Sequence, residues 1–164
     1  MFRPCPVTPF KEPRTIKTYQ LTITTSRHIQ TLAQATAILA REKINIRAIT
    51  FSSHPPQTTI NLLVDNLKRA EEALFEAGIP VERREVLAVL TKDQPGGLDK
   101  LMRILEREQI SLKSACGFAA ESRIDAVFVM EVAEPEIVRS LLKREKFLLL
   151  SVESLCEIEP VHSC

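Results

Sequence analysis

Between Tyr19 and Thr24 apolar and polar residues alternate, Tyr19, Leu21 and Ile23 being separated by Gln20 and Thr22. A period of two is that of a half-buried strand, which predicts one over about 18–24. Leu32, Ala35, Thr36 and Leu39 then recur at three- and four-residue spacing, predicting an amphipathic helix over about 28–42 that ends near Lys43. Ile46 to Ser52 is extended in character, His54-Pro55-Pro56-Gln57 interrupts it, and Thr58 to Val64 alternates through Ile60, Leu62 and Val64, so a hairpin is expected. Leu67, Ala70, Leu74 and Ala77 mark a second helix stopped by Gly78 and Pro80, and Val81 to Val86 opens another extended segment.

The order then recurs. A strand is predicted at about 86–91, a helix at about 97–109 on Leu98, Leu101, Met102 and Leu105, strands at about 112–119 and 125–132, a helix from Pro135, and a strand from Leu148 to Ile158. Set at an offset of 66, Leu32 to Ile46 and Leu98 to Leu112 share six identities in fifteen positions: Leu32/Leu98, Ile38/Ile104, Leu39/Leu105, Arg41/Arg107, Glu42/Glu108 and Ile44/Ile110. Leu21/Leu87 and Thr25/Thr91 continue the register. Both halves therefore read β-α-β-β-α-β. The fold class is α+β: two ferredoxin-like βαββαβ units with antiparallel sheets packed as a pseudo-dimer, over 18–85 and 86–158, with a Pro-rich tail at 1–17 and a short tail at 159–164. Val81 to Leu90 must serve as the last strand of one unit and the first of the next, which fixes their relative orientation. Two helices cover only one face of each sheet. Alternation places Ile49, Phe51, Leu63, Val127 and Val129 on the other, an apolar surface that pairing of the sheets, by edges or faces, would hide, and that also suits a homodimer.

Composition narrows the function classes. Twenty-two basic and twenty-one acidic residues leave a net charge of +1, so no global field draws nucleic acid or an anionic membrane. One Tyr and no Trp leave few platforms for stacking RNA bases. No apolar run approaches the ~20 residues of a membrane helix. MFRPCPVTPFKEPR lacks the apolar core and cleavage site of a secretory signal, and a cytoplasmic protein is expected. Cys5, Cys116, Cys156 and Cys164 form no CxxC pair and have no His at ligand spacing, so they read as reduced thiols, two in strands and two in tails, with neither metal nor cofactor called for.

Chemistry concentrates in Thr91-Lys92-Asp93-Gln94-Pro95-Gly96-Gly97-Leu98, where two of the four glycines stand side by side between a strand and a helix. Glycine lets a backbone amide approach a ligand, and unpaired amides at a helix start favour a carboxylate or phosphate. Asp93 either caps the helix, with Pro95 in its first turn, or accepts an ammonium from a ligand; equally, the whole segment reads as a strand-to-helix turn.

Repeat, fold plan and loop together resemble the ACT domain family, amino-acid-binding regulatory modules of βαββαβ topology. Asp93-Gln94-Pro95-Gly96-Gly97-Leu98 matches its D-x-P-G-x-L loop, and Ile44-Asn45-Ile46 and Ile110-Ser111-Leu112 match its apolar-Asn-apolar entry to strand two, over about 18–158. The chain looks like a stand-alone pair with no enzyme domain attached. The resemblance implies a ligand between units, held by Asp93, Gln94, Pro95, Gly96, Gly97 and Leu98 facing Asn45 and Ile46. A second, pseudo-symmetric site would use Arg27, His28 and Ile29 with Ser111 and Leu112, but Arg27-His28-Ile29-Gln30-Thr31 has neither glycine. There Arg27 or His28 would clamp a carboxylate, with His28 titrating near neutral pH, or His28 would simply open a helix in solvent. His54 reads as a turn residue and His162 as part of a tail.

Three functions follow. The first is a non-catalytic sensor that binds a free amino acid and is read by a metabolic enzyme partner. The second is a docking or dimerisation module for such an enzyme, with no ligand of its own. The third is an enzyme, since the same plan serves acylphosphatases, metal chaperones and RNA modules; no nucleophile, base and orienter assemble in this sequence to support it.

Overall fold

A computed structural model describes residues 17–119, 124–151 and 154–155. Most of both expected tails, Cys5, Cys156, Cys164, His162 and most of residues 151–158 lie outside them, as does the side chain of His28. The elements are β1 (Thr18–Thr25), α1 (His28–Arg41), β2 (Ile46–His54), β3 (Gln57–Val64), α2 (Leu67–Glu76), β4 (Glu82–Lys92), α3 (Asp99–Arg107), β5 (Leu112–Ala119), β6 (Asp125–Val132), α4 (Pro135–Arg144) and β7 (Leu148–Leu150). This is the α+β, twice-βαββαβ plan. Two boundaries depart from the pattern. The helix expected from about 97 begins at Asp99, because Gly96 takes φ +83° and keeps the chain unwound. The strand expected to reach Ile158 ends at Leu150: Ser151 Oγ accepts from the Ser154 amide at 3.1 Å and Ser151 O from the Leu155 amide at 2.9 Å, and residues 154–155 are helical.

The strands form one antiparallel sheet in the order β2-β3-β1-β4-β6-β5, with β7 also on β4. β4 joins the units. Its residues 82–86 pair with β1, 87–92 with β6 and 88–90 with β7, so β1 and β7 lie end to end along one edge of it. Thr18 Oγ1 donates to Leu150 O across that junction at 3.0 Å.

Alternation along the strands builds three cores. Leu21, Ile23, Ile60 and Leu62 meet Leu39 and Leu74 of α1 and α2, and Leu87, Val89 and Met130 meet Leu101, Leu105 and Leu142 of α3 and α4. On the opposite face Leu63, Val86, Ala88, Val127, Val129 and Leu150 pack on one another, so the helix-free faces of the two units close together. Ile49 and Phe51 do not join them. The register of β2 slips between Ile46 and Ala48, which puts Ile49 opposite Leu62 and Phe51 opposite Ile60, on the helix side. They stand at the sheet edge, 45% and 46% exposed.

The shared interior also holds a polar belt that alternation alone reads as a solvent face. Gln20 Nε2 and Ser114 Oγ each donate to Glu131 Oε2 at 3.2 Å, and Arg84 Nη1 lies 3.6 Å from Glu131 Oε1. Thr22 Oγ1 donates to Asn61 Oδ1 at 2.8 Å, and Asn61 Nδ2 to Thr50 Oγ1 at 3.0 Å. Each buried polar atom in this belt thus has a partner, which is what makes its burial tolerable.

The offset of 66 is written in the backbone as well. Lys43 (φ 56°) and Gln109 (φ 54°) end α1 and α3 in the left-handed region, with Ile44 N donating to Leu39 O at 2.9 Å and Ile110 N to Leu105 O at 2.8 Å. The register slip of β2 recurs in β5 between Leu112 and Ser114.

Candidate functional site

In the second unit the six residues from Asp93 to Leu98 bridge the end of β4 and the start of α3. The Asp93 amide donates to Ile124 O at 2.8 Å, which pins the loop to the entry of β6, and Gly97 N donates to Gln94 O at 2.9 Å, which closes its turn. The two glycines do different work. Gly96 needs its positive φ, with open space around it, whereas a Cβ on Gly97 would stand 1.9 Å from Lys92 O. The glycine at 97 is therefore a steric requirement of the turn itself, and its amide is already engaged. The amides of Gly96 and Leu98 have no acceptor among the described residues and remain available. Asp93 is exposed and does not cap the helix: Leu98 occupies the N-cap position, without a side-chain cap. Asp99 is instead bound to Arg103 at 2.7 Å.

Hollows flank the loop. One, of about 300 Å³, lies against the ends of β5 and β6 and is lined by Asp93, Gln94, Leu98, Phe118 and Phe128 among others. The second, of about 420 Å³, lies between the loop, the start of α3 and the turn into β7; Gln94, Gly96 and Gly97 border it together with Lys92, Lys100 and Lys146. Asp125 is in its wall, 2.6 Å from Lys92 Nζ, and Lys100 Nζ sits 5.3 Å from the centre of the Phe147 ring. Asn45 and Ile46 line neither hollow. They stand at the entry to β2, where Asn45 is exposed and its amide donates to Asp65 Oδ1 at 3.1 Å. Pro95 is exposed on the loop crest.

The first unit has no comparable loop. His28 to Leu32, which align with Gln94 to Leu98, are wound into α1, so α1 has fourteen residues where α3 has nine. Only Ser26 and Arg27 connect strand to helix, and the Arg27 amide donates to Thr25 Oγ1 at 3.0 Å, whose oxygen also lies 3.0 Å from Thr31 Oγ1. Arg27 and Ile29 are exposed, as are Ser111 and Leu112 at the entry to β5. Lys100, Lys146 and Phe147 carried no signal in the sequence. What joins them is β7 lying against β4 beside the loop, and only the topology supplies that.

Among the described residues no cluster of three or more His, Cys, Asp or Glu could hold a metal ion, and no helix is long and apolar enough to cross a membrane.

Two βαββαβ units sharing a strand, one with an open Asp-x-Pro-Gly loop, define a paired ferredoxin-like domain protein. The family model described as an ACT domain pair matches residues 15–158, and the chain belongs to that family, whose domains are regulatory units. The structure is similar to protein BT0572 from Bacteroides thetaiotaomicron, with a TM-score of 0.78 and 24% identity over 85% of this chain and 96% of that one. It is also similar to the ligand-free regulatory subunit of aspartate kinase from Thermus thermophilus, with a TM-score of 0.55 and 16% identity over 78% and 90%. The regulatory subunit of aspartate kinase from Thermus flavus gives a TM-score of 0.50 and 14% identity over 88% and 94%. At such identities these likenesses speak to fold. No curated protein is a significant match in sequence.

Proposed function

We propose that this protein is a non-catalytic cytoplasmic regulator that binds a free amino acid at the Asp93–Leu98 loop and passes its state to a metabolic enzyme. The observation that carries this reading is the contrast between the halves. The aligned segment is helix in the first unit, yet in the second Pro95, Gly96 and Gly97 hold it open, with the Gly96 amide free beside one hollow and the Leu98 amide beside the other. Those amides and the positive end of α3 suit a carboxylate. Asp93 and Gln94 line the hollow on the loop's other side, and the entry to β2, where Asn45 is exposed and Ile46 half-buried, is the surface that a second copy in a homodimer would bring to it. Regulation requires that the amino acid bind two packing states of the pair unequally.

Isothermal titration with each proteinogenic amino acid, alongside thermal melts, tests the reading. Saturable heat and a raised melting temperature with at least one amino acid are expected, both lost in Gly96→Val with folding retained by circular dichroism. No heat and no shift with any of them would leave a docking module as the function.

A further inference from the structure

We infer that the hollow beside the loop selects an amino acid with a second carboxylate, aspartate or glutamate. The inference rests on the amino-acid reading above and adds the side-chain class. Three ammonium groups, of Lys92, Lys100 and Lys146, stand in the wall of this cleft against the one carboxylate of Asp125. Lys92 and Asp125 are matched at 2.6 Å. Lys100 and Lys146 have no ion pair among the described residues, so two positive charges remain at the side of the hollow away from β6. Glu145 acts on Lys100 only through its field and is itself bound to Arg107 at 2.7 Å. Lys100 is further placed by the Phe147 ring, centred 5.3 Å from its ammonium, and Phe147 lines the same cleft together with Leu90 and Leu148.

Two anion-binding features therefore border one hollow of about 420 Å³: the Gly96 amide at the loop, and the lysine pair in the same wall. A neutral amino acid answers only the first. A basic one would set its own cation against Lys100 and Lys146, and an acidic one answers both, with Leu90, Phe147 and Leu148 beneath its methylene groups. The cleft is open to water, so the preference is screened by salt.

The probes are aspartate against asparagine and glutamate against glutamine, pairs that differ in charge at nearly constant shape. At low salt the acid of at least one pair should bind about ten-fold more tightly than its amide, a difference of about 1.4 kcal/mol. The Lys100→Gln/Lys146→Gln double variant should bring that ratio to about one while still binding the amide. Both lysines are exposed, so the variant is expected to fold. Amides binding as tightly as acids would overturn the inference and leave the amino-acid reading standing. An acid preference that survives in the double variant would equally overturn it. Succinate binding where no amino acid does would overturn the amino-acid reading, and this inference with it, while showing that the cleft takes a dianion.

Discussion

At the scale of single residues, adjacent glycines separate two physical requirements. A side chain at Gly96 meets open space but must sit at φ +83°, so Gly96→Ala should cost about 1–2 kcal/mol of stability. At Gly97 the new Cβ would lie inside the Lys92 carbonyl, and Gly97→Ala should cost about 3 kcal/mol, the turn having to open to accept it. Urea denaturation of the two variants reads the difference directly; equal costs would mean that the Lys92–Gly97 approach is relaxed in solution. Cys116 offers a second residue-level test. Burial against the inter-unit core pushes its thiol pKa up, so at neutral pH it is protonated and a poor nucleophile. Alkylation followed by site-resolved mass spectrometry should find it slow in the folded protein and fast in urea.

At the scale of elements, α1 to α4 each end on a left-handed residue: Lys43, Gly78, Gln109 and Lys146. Three of these lack the freedom of glycine, so Lys43→Gly and Gln109→Gly should each raise stability by about 0.5–1 kcal/mol, read as higher urea midpoints. Helices are also tied in pairs by ions. Glu42 is held below the ordinary glutamate value of 4.5 by its bond to Arg69, and Glu145 by its bond to Arg107, joining α1 to α2 and α3 to α4. A carboxylate depressed in the folded state stabilises above its unfolded pKa, and that contribution is lost as pH falls through the folded value. Melting temperature should hold at neutral pH and drop once pH passes below about 4.5, and Arg69→Gln should shallow that acid branch. Element order was legible in the sequence because apolar periods of two and three to four survive in every segment; β5, β6 and the start of α4 fall where the pattern puts them. Ile49 and Phe51 were misplaced because a one-residue slip in register reverses every side chain beyond it, and no period announces such a slip. The loop was legible as a motif. Its lysine wall was not, being assembled from β4, α3 and the turn into β7.

At the scale of the whole molecule, the two units are held by more than apolar contact. Glu131 of β6 receives Gln20 from the first unit and Ser114 from the second, with Arg84 of the shared strand beside it, in an interior that also holds Leu63, Val86, Val127 and Val129. Polar groups placed so can fix one relative arrangement out of several that greasy surfaces would accept. Gln20→Ala and Glu131→Ala should each destabilise, Glu131→Ala by about 2–3 kcal/mol, and the double variant should fall short of their sum by about 0.5–1 kcal/mol. Strict additivity would mean that the two side chains act independently. The shared strand has a practical consequence too. Because Glu82 to Lys92 supplies pairing edges to both halves, neither half can be lifted out and grafted elsewhere without a raw edge. A biosensor made from this protein should therefore receive its reporter at the hairpin tip around Pro55 and Pro56, leaving the pair to be transplanted as one indivisible part.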